Sequence, residues 1–244
     1  MFKSYANKEE ARKAWSAQVK YGPTEGYRAE APKVIKAGAG IPEIRIYGEI
    51  GPWGILAKDV LEALDGLAGA PTFNVRINCI GGDAFEGLAI YSALCAHPAK
   101  VNCIVEGVAA SAGSIIAMAG DTVSIDDNAF FMIHRAWCLC AGNALEMLDT
   151  ASTLEKIDSR LAGIYASKTK KTPAQCMALM TGSVDGTWFD STEAIAEGFC
   201  DKPSNAPGEP ANEIERPASN LAAYNRTWDM ERVKLRQRQL EYAA

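Results

Sequence analysis

Strand patterns and helical patterns alternate through the middle of the chain, and this alternation constrains the fold more than any other feature. Each β-branched run is followed by apolar or small residues at helical spacing: 44–50 by 55–67, 74–77 by 86–95, and 101–105 by 114–119. Repeated strand–helix units need crossover connections, which give a largely parallel sheet covered by helices. We therefore predict an α/β fold, with two further strands at 122–125 and 129–133 and a turn at the Gly81-Gly82 pair.

A long helix is predicted over residues 144–169. Its apolar positions keep the 3.6-residue period of one helix face: Leu145, Leu148, Leu154, Ile157, Leu161 and Ile164. An apolar face of this length packs either on the chain's own sheet or on another subunit, and periodicity does not separate the two.

Composition divides the chain into three parts. Residues 1–41 form a charged N-terminal extension, 42–203 form the folded domain, and 204–244 form a polar linker and C-terminal tail that is helical or disordered. We find no secretory signal within residues 1–20 and no apolar stretch long enough to span a bilayer.

Charge and histidine content exclude several classes of function. Lys and Arg number 25 against 30 Asp and Glu, a net charge of −5, so no basic field would attract nucleic acid or an anionic membrane. Only His97 and His134 supply imidazole, which disfavours a histidine-rich metal site, and we expect no metal or cofactor.

The cysteines indicate a reducing compartment. They are odd in number and contain no Cys-x-x-Cys pair, which predicts reduced, buried thiols in a cytoplasmic protein. The seven are Cys79, Cys95, Cys103, Cys138, Cys140, Cys176 and Cys200.

Ser111 is the first candidate for chemistry. It lies between Ala110 and Ala112, where a strand ends in glycine and a small-residue helix begins. Such a turn exposes a hydroxyl beside unpaired helix N–H groups, as a serine nucleophile requires. The alternative is a helix N-cap in a closely packed turn.

The two histidines differ in setting. His134 ends the apolar strand at 129–133, at the edge where α/β sheets bind ligands, and could accept a proton from a serine hydroxyl; a structural histidine is the alternative. His97 precedes Pro98 after a helix, which favours a loop or cap role.

The glycine pair Gly81-Gly82 follows a strand and precedes a helix. Paired glycines let a backbone N–H approach a substrate oxygen, so Gly82 is a candidate oxyanion donor; a plain turn fits equally well. The segment matches neither a dinucleotide fingerprint nor a nucleotide phosphate loop.

The candidate residues Gly82, Ser111 and His134 lie in three motifs that follow one another along the chain. They are Gly-Gly-Asp-x-x-x-Gly-x-Ala-Ile-Tyr at 81–91, Gly-x-Ala-Ala-Ser-Ala-Gly at 107–113 and Met-Ile-His at 132–134. Together with Trp-Phe-x-x-x-Glu-Ala-Ile-x-x-Gly-Phe at 188–199, they resemble the proteolytic subunit of the Clp protease family over about residues 43–202. The segment 46–54 and the polar tail resemble phage- and prophage-encoded members associated with head maturation.

The resemblance implies a serine endopeptidase of the ClpP/crotonase-like fold, with repeated β-β-α units and a long protruding handle helix. Ser111 would attack the scissile carbonyl, His134 would move the proton, and the N–H groups of Gly82 and Ala112 would hold the oxyanion. Cys79-Ile80 stands where the family commonly has Ser-Pro, and we expect altered packing there with the chemistry retained.

The third triad residue departs from the family pattern. Family spacing puts the acid at position 186, which is glycine, so the resemblance favours the neighbouring Asp185. Asp190 is a weaker candidate, and a water or a backbone carbonyl could orient the imidazole instead.

Family resemblance also implies a homo-oligomeric ring, a heptamer or stacked rings, that encloses the serines and takes polypeptide substrates. An ATPase unfoldase and phage capsid or scaffold proteins are the implied partners, in the bacterial cytoplasm.

Two alternative functions stay open. One is a crotonase-like acyl-CoA hydratase or isomerase, which also holds an oxyanion on backbone N–H groups. The other is a catalytically decayed, ring-forming capsid component.

Overall fold

The fold is built on one sheet whose central strands run parallel. A computed structural model of the chain describes residues 34–35, 40–52, 54–67, 69–182 and 186–204. Within them the strands are β1 (Val34–Ile35), β2 (Glu43–Ile50), β3 (Thr72–Gly82), β4 (Lys100–Ala110), β5 (Thr122–Ile125), β6 (Phe130–Ile133), β7 (Thr187–Asp190) and β8 (Lys202–Pro203).

Six helices accompany the sheet in the described part of the chain. They are α1 (Ala57–Asp65), α2 (Ala84–Ala96), α3 (Ala112–Ala117), α4 (Ala144–Lys168), α5 (Pro173–Thr181) and α6 (Ser191–Ala196). None of the described helices is both long and apolar enough to cross a membrane.

Strand β4 organises the sheet because it has two neighbours on one side. The strands lie in the order β1-β2-β3-β4-β5-β8, with β6 beside β4 and β7 beside β6. The first half of β4 pairs in parallel with β5, and its last residues, Val108 to Ala110, pair in parallel with β6. The parallel sheet with helical crossovers confirms the predicted α/β class.

The predicted glycine turn is wrong. Gly81 and Gly82 continue β3, where they pair with Glu49 and Ile50 of β2 after a register shift. Both glycines have positive φ, which is why they resembled a turn in the sequence. The strand therefore carries the glycine pair directly to the carboxyl edge of the sheet.

Alternation along β3 separates the two faces of the sheet. Phe73, Val75, Ile77 and Cys79 are fully buried beneath the helices. The intervening Arg76 lies on the opposite face, where its guanidinium contacts the carboxylates of Glu43 and Glu106, each at 2.5 Å. The apolar core therefore lies between the helices and one face of the sheet, next to the edge at which the parallel strands end.

The long helix was predicted correctly in extent, and it divides into two halves. Asn143 caps its first turn, accepting from the N–H groups of Leu145 and Glu146. Leu145 and Leu148 are 77% and 66% exposed, whereas Leu161, Ile164 and Tyr165 are buried. Only the C-terminal half therefore packs into the hydrophobic core, and the N-terminal half presents apolar side chains outward.

Two other predictions need correction or fall outside the described residues. The thiols of Cys95, Cys138 and Cys140 are exposed rather than buried, because they lie at a helix end and in the segment before α4. The C-terminal tail and nearly all of the N-terminal extension lie outside the described residues, so the three-part division stays a prediction.

Candidate active site

Ser111 occupies the single residue between β4 and α3. Its φ of 53° and ψ of −124° make it the one described residue other than glycine with a positive φ. Such a backbone costs about 1–3 kcal/mol and persists only where the surroundings impose it, as in strand-to-helix turns that expose a nucleophile. Its side chain makes no capping bond to α3, so the N-cap alternative does not describe the hydroxyl.

The hydroxyl of Ser111 contacts His134 instead. The Nε2 atom of His134 lies 2.7 Å from the Oγ atom of Ser111. The sheet creates this contact: Ala110 pairs with Met132 across β4 and β6, and the N–H of Ser111 donates to the carbonyl of Met132 at 3.1 Å. Each side chain therefore leaves the carboxyl end of one of two adjacent parallel strands, as a nucleophile and its base require.

Gly81 lies directly against Ser111. A Cβ atom built on Gly81 would fall 2.5 Å from the Cβ of Ser111 and 3.0 Å from its Oγ. Gly82, the predicted oxyanion donor, follows at the exposed end of β3. Only glycine permits this approach of β3 to the serine turn, which explains the glycine pair better than a turn does.

Ala112, the other predicted oxyanion donor, is the first residue of α3. The first N–H groups of a helix have no partner within the helix and can bind an anion. Cys79 packs beneath this end of α3, since a Cβ on Gly113 would lie 2.7 Å from the carbonyl oxygen of Cys79. Burial raises the pKa of the Cys79 thiol to about 12, so it stays protonated and is not a competing nucleophile.

The strand pair β6–β7 decides between the acid candidates that the structure describes. Ile133 pairs with Thr187, so Gly186 lies beside His134, and a Cβ on Gly186 would fall 2.4 Å from that of His134. Asp190 lies at the far end of the pair, opposite Phe130, and its carboxylate accepts from the N–H of Glu193 as the cap of α6. Asp190 is therefore not beside the imidazole, and Asp185 lies outside the described residues.

His97 has the loop role predicted for it. It is the C-cap of α2, its Nδ1 accepts from the N–H of Ala99 at 3.1 Å, and its ring meets Phe73 edge-on at 5.0 Å. Phe73 lies near the start of β3 whereas Gly81 lies near its end, so His97 is at the edge of the sheet opposite Ser111.

Sequence reasoning did not single out two buried polar residues near the pair, Asp158 and Tyr165 of α4. Each is 1% exposed. Tyr165 hydrogen-bonds to the side chain of Ser114, three residues after Ser111, and Asp158 accepts from the two residues that follow His134. The sequence does contain one signal for Asp158: its carboxylate falls on the apolar face of the helix that Leu154 and Leu161 define. Among the described residues, no three His, Cys, Asp or Glu side chains form a group that could hold a metal ion.

Comparison with known proteins identifies similar chains. A Clp protease family model matches residues 55–205. The ATP-dependent Clp protease proteolytic subunit of Deinococcus radiodurans is 36% identical over 95 residues, which are 38% of this chain and 47% of that protein. Proteolytic subunit 2 of Tropheryma whipplei is 32% identical over 127 residues, 51% of this chain and 69% of that protein.

Solved structures give the same result. A mutant of ClpP1 from Listeria monocytogenes is similar with a TM-score of 0.58 and 25% identity, over 66% of this chain and 90% of that one. The chain aligns with about half to two thirds of the length of the curated relatives that it matches.

Proposed function

The chain belongs to the Clp protease family, and from that membership we propose that it is a serine endopeptidase whose catalytic residues are Ser111, His134 and Asp185. The membership confirms the resemblance that the sequence motifs predict, while the phage type stays a prediction. The observation that carries the proposal is the distance of 2.7 Å between His134 Nε2 and Ser111 Oγ, on a strained turn at the edge of the sheet.

In the proposed reaction, Ser111 Oγ attacks the scissile carbonyl carbon while His134 Nε2 takes the hydroxyl proton. His134 then gives that proton to the leaving amine, which breaks the C–N bond and leaves an acyl ester on Ser111. Water, deprotonated by the same imidazole, hydrolyses the ester and restores the hydroxyl. Neither half-reaction requires a metal ion or an oxidant.

The proposed oxyanion donors are the backbone N–H groups of Gly82 and Ala112. Two observations support them: Ala112 begins α3, and the contact of Gly81 with Ser111 brings the end of β3 to the same turn. Removal of one such donor typically lowers kcat by about 10²–10³-fold.

Asp185 is the proposed partner of the imidazole. Gly186 lies against His134 and leaves no space for a side chain, so an acid at that position is excluded. Asp185 is bonded to Gly186, and consecutive Cα atoms are only about 3.8 Å apart. We expect Asp185→Asn to lower the rate by about 10⁴-fold, while Asp190→Asn, which alters only a helix cap, retains the activity. Equal activities for the two variants would remove Asp185 from the triad.

Hydrolysis of fluorescein-labelled casein tests the proposed function. We expect wild-type protein to cleave it and Ser111→Ala to be inactive, with the exposed Ser92→Ala as the matched control, since Ser92 bonds only within α2. Cleavage by Ser111→Ala would refute the serine mechanism. Tight binding of an acyl-CoA without cleavage would favour the hydratase or isomerase alternative.

We further propose that residues 42–203 form the peptidase domain and that it assembles as a ring, with polypeptides as substrates. The support is the exposed apolar surface of the N-terminal half of α4 and the segment before it. Its large side chains are Trp137, Leu139, Leu145, Met147 and Leu148. Monomers rarely leave such a surface uncovered. Sedimentation equilibrium measures the mass of the assembly, and a monomer at all protein concentrations would refute the ring. We also propose an ATPase partner, phage substrates and a cytoplasmic location.

A further inference from the structure

Helix α4 buries two polar side chains on the face that packs near the segments carrying Ser111 and His134. Asp158 and Tyr165 are each 1% exposed. They are seven residues apart, which is about two turns, or roughly 10 Å along the axis. A buried polar group destabilises a fold unless it is hydrogen-bonded, so its partners identify its role.

Tyr165 reaches the Ser111 turn through Ser114. Ser114 Oγ lies 2.6 Å from the carbonyl oxygen of Ser111 and 2.7 Å from the hydroxyl of Tyr165. A carbonyl oxygen only accepts, so the single hydroxyl proton of Ser114 goes to Ser111, and Tyr165 must donate to Ser114. Burial raises the pKa of Tyr165 well above its ordinary value, so this donor keeps its proton.

The accepting carbonyl belongs to a peptide unit of the proposed mechanism. The Ser111 carbonyl and the Ala112 N–H form one planar peptide group, so fixing one fixes the direction of the other. That carbonyl accepts from Ser114 Oγ and also from the N–H groups of Ser114 and Ile115, at 3.0 and 3.3 Å. The chain from Tyr165 to Ser114 to Ser111 therefore fixes the orientation of the peptide group that carries the Ala112 N–H, the proposed oxyanion donor.

Asp158 holds the segment that follows His134. Its Oδ2 accepts from the Nε of Arg135 at 2.6 Å, and its Oδ1 accepts from the backbone N–H of Ala136 at 2.7 Å. The N–H of Arg135 donates to the carbonyl of Met180 at 3.1 Å. Strand β6 fixes the backbone before His134, and Asp158 fixes it afterwards.

We propose that Asp158 and Tyr165 are positioning residues through which α4 sets the geometry of the catalytic site: Tyr165 through Ser114 orients the Ser111–Ala112 peptide, and Asp158 orients the backbone after His134. The proposal rests on the proposed serine mechanism. Both side chains are buried, so we expect each to act on the rate of the chemical step and to leave substrate binding unchanged.

Inactivation by a fluorophosphonate tests the Tyr165 arm, because its saturation kinetics separate the binding constant KI from the rate constant kinact. We expect Tyr165→Phe and Ser114→Ala to lower kinact by about tenfold with KI unchanged, less than loss of an oxyanion donor because two N–H groups still hold the carbonyl. Ser124→Ala is the matched control, since Ser124 also buries a hydroxyl that donates to a carbonyl, that of Cys103, away from the site.

Asp158→Asn tests the other arm. The amide oxygen can still accept from Ala136, but the charge that holds Arg135 is lost, and we expect kinact to fall about tenfold. Asp201→Asn is the control, because Asp201 accepts a backbone N–H at 2.7 Å in another part of the sheet.

The number of sites labelled at completion measures how much of the protein is correctly folded, and kinact measures the reactivity of those sites. Measuring both separates an effect on positioning from an effect on folding. A purely structural role would reduce that number and leave kinact for each labelled site unchanged, which would overturn the proposal. If Ser114→Ala does not fold, Tyr165→Phe, which retains the shape of the side chain, tests the same donor. Labelling of Ser111→Ala at the wild-type rate would refute the proposed function itself. If labelling depends on Ser111 but kinact is unchanged in Tyr165→Phe and Asp158→Asn, only the positioning role is refuted.

Discussion

Replacement of Gly81 by alanine should disable Ser111 while leaving the sheet folded. The new Cβ would fall 2.5 Å from the Cβ of Ser111 and 2.9 Å from the carbonyl oxygen of Ala110. Ordinary contacts of a Cβ begin at 3.4 Å, so the serine turn and β3 must separate by about 0.9 Å. Ser111 Oγ now lies 2.7 Å from His134 Nε2, and a shift of that size away from the imidazole would break the hydrogen bond.

The magnitude follows from this displacement. A misplacement of about 1 Å in a catalytic group costs roughly 10²-fold in rate, which is the loss we expect for Gly81→Ala. A side chain at the positive φ of 105° also destabilises the fold by about 1–3 kcal/mol. That second effect is separate from catalysis and requires its own control.

Gly69→Ala supplies the control, because Gly69 has a φ of 84° but no atom within 4 Å of its added Cβ. Both variants should lose stability, measured by urea denaturation, and only Gly81→Ala should lose reactivity towards a fluorophosphonate. If the two variants react at rates within threefold of each other, the contact between Gly81 and Ser111 does not control the nucleophile.

Three further outcomes are expected. His134→Ala should lower casein hydrolysis by at least 10²–10⁴-fold, while His97→Ala, at the opposite edge of the sheet, should retain it; the reverse pattern would contradict the assignment of the base. Gly163→Ala should raise the free energy of unfolding by up to about 1 kcal/mol, because alanine favours the helix and the added Cβ meets no atom within 4 Å; a lower urea midpoint would refute that reasoning. Cys79 and Cys103, whose pKa values burial raises to about 12, should resist iodoacetamide at pH 8 until the protein is denatured, and rapid native alkylation of either would show that it is accessible.

The fold could be predicted from the sequence because its signals are local. Apolar periodicity located α4 almost to the residue, and β-branched runs located β4 and β5. The glycine pair was misinterpreted because positive φ serves both turns and close approaches, and only the pairing with β2 and the contact with Ser111 distinguish them.

The site was predictable only in part, for a different reason. Ser111 and His134 lie in motifs, but their contact depends on the last residues of β4 pairing with β6, which no local pattern reveals. Tyr165 and Ser114 are 51 positions apart, so their hydrogen bond appears only in the folded chain. The exposed Cys138 and Cys140 were predicted to be buried because composition does not show that the segment before α4 leaves the core.

The location of a covalent phosphonate adduct tests the central claim most directly. The protein would be labelled with a fluorophosphonate, digested and sequenced by tandem mass spectrometry. The proposed mechanism predicts one adduct per chain, on Ser111, and its loss in His134→Ala. An adduct on Ser114 or another residue, or no adduct in a preparation that cleaves casein, would contradict the assignment of Ser111 as the nucleophile.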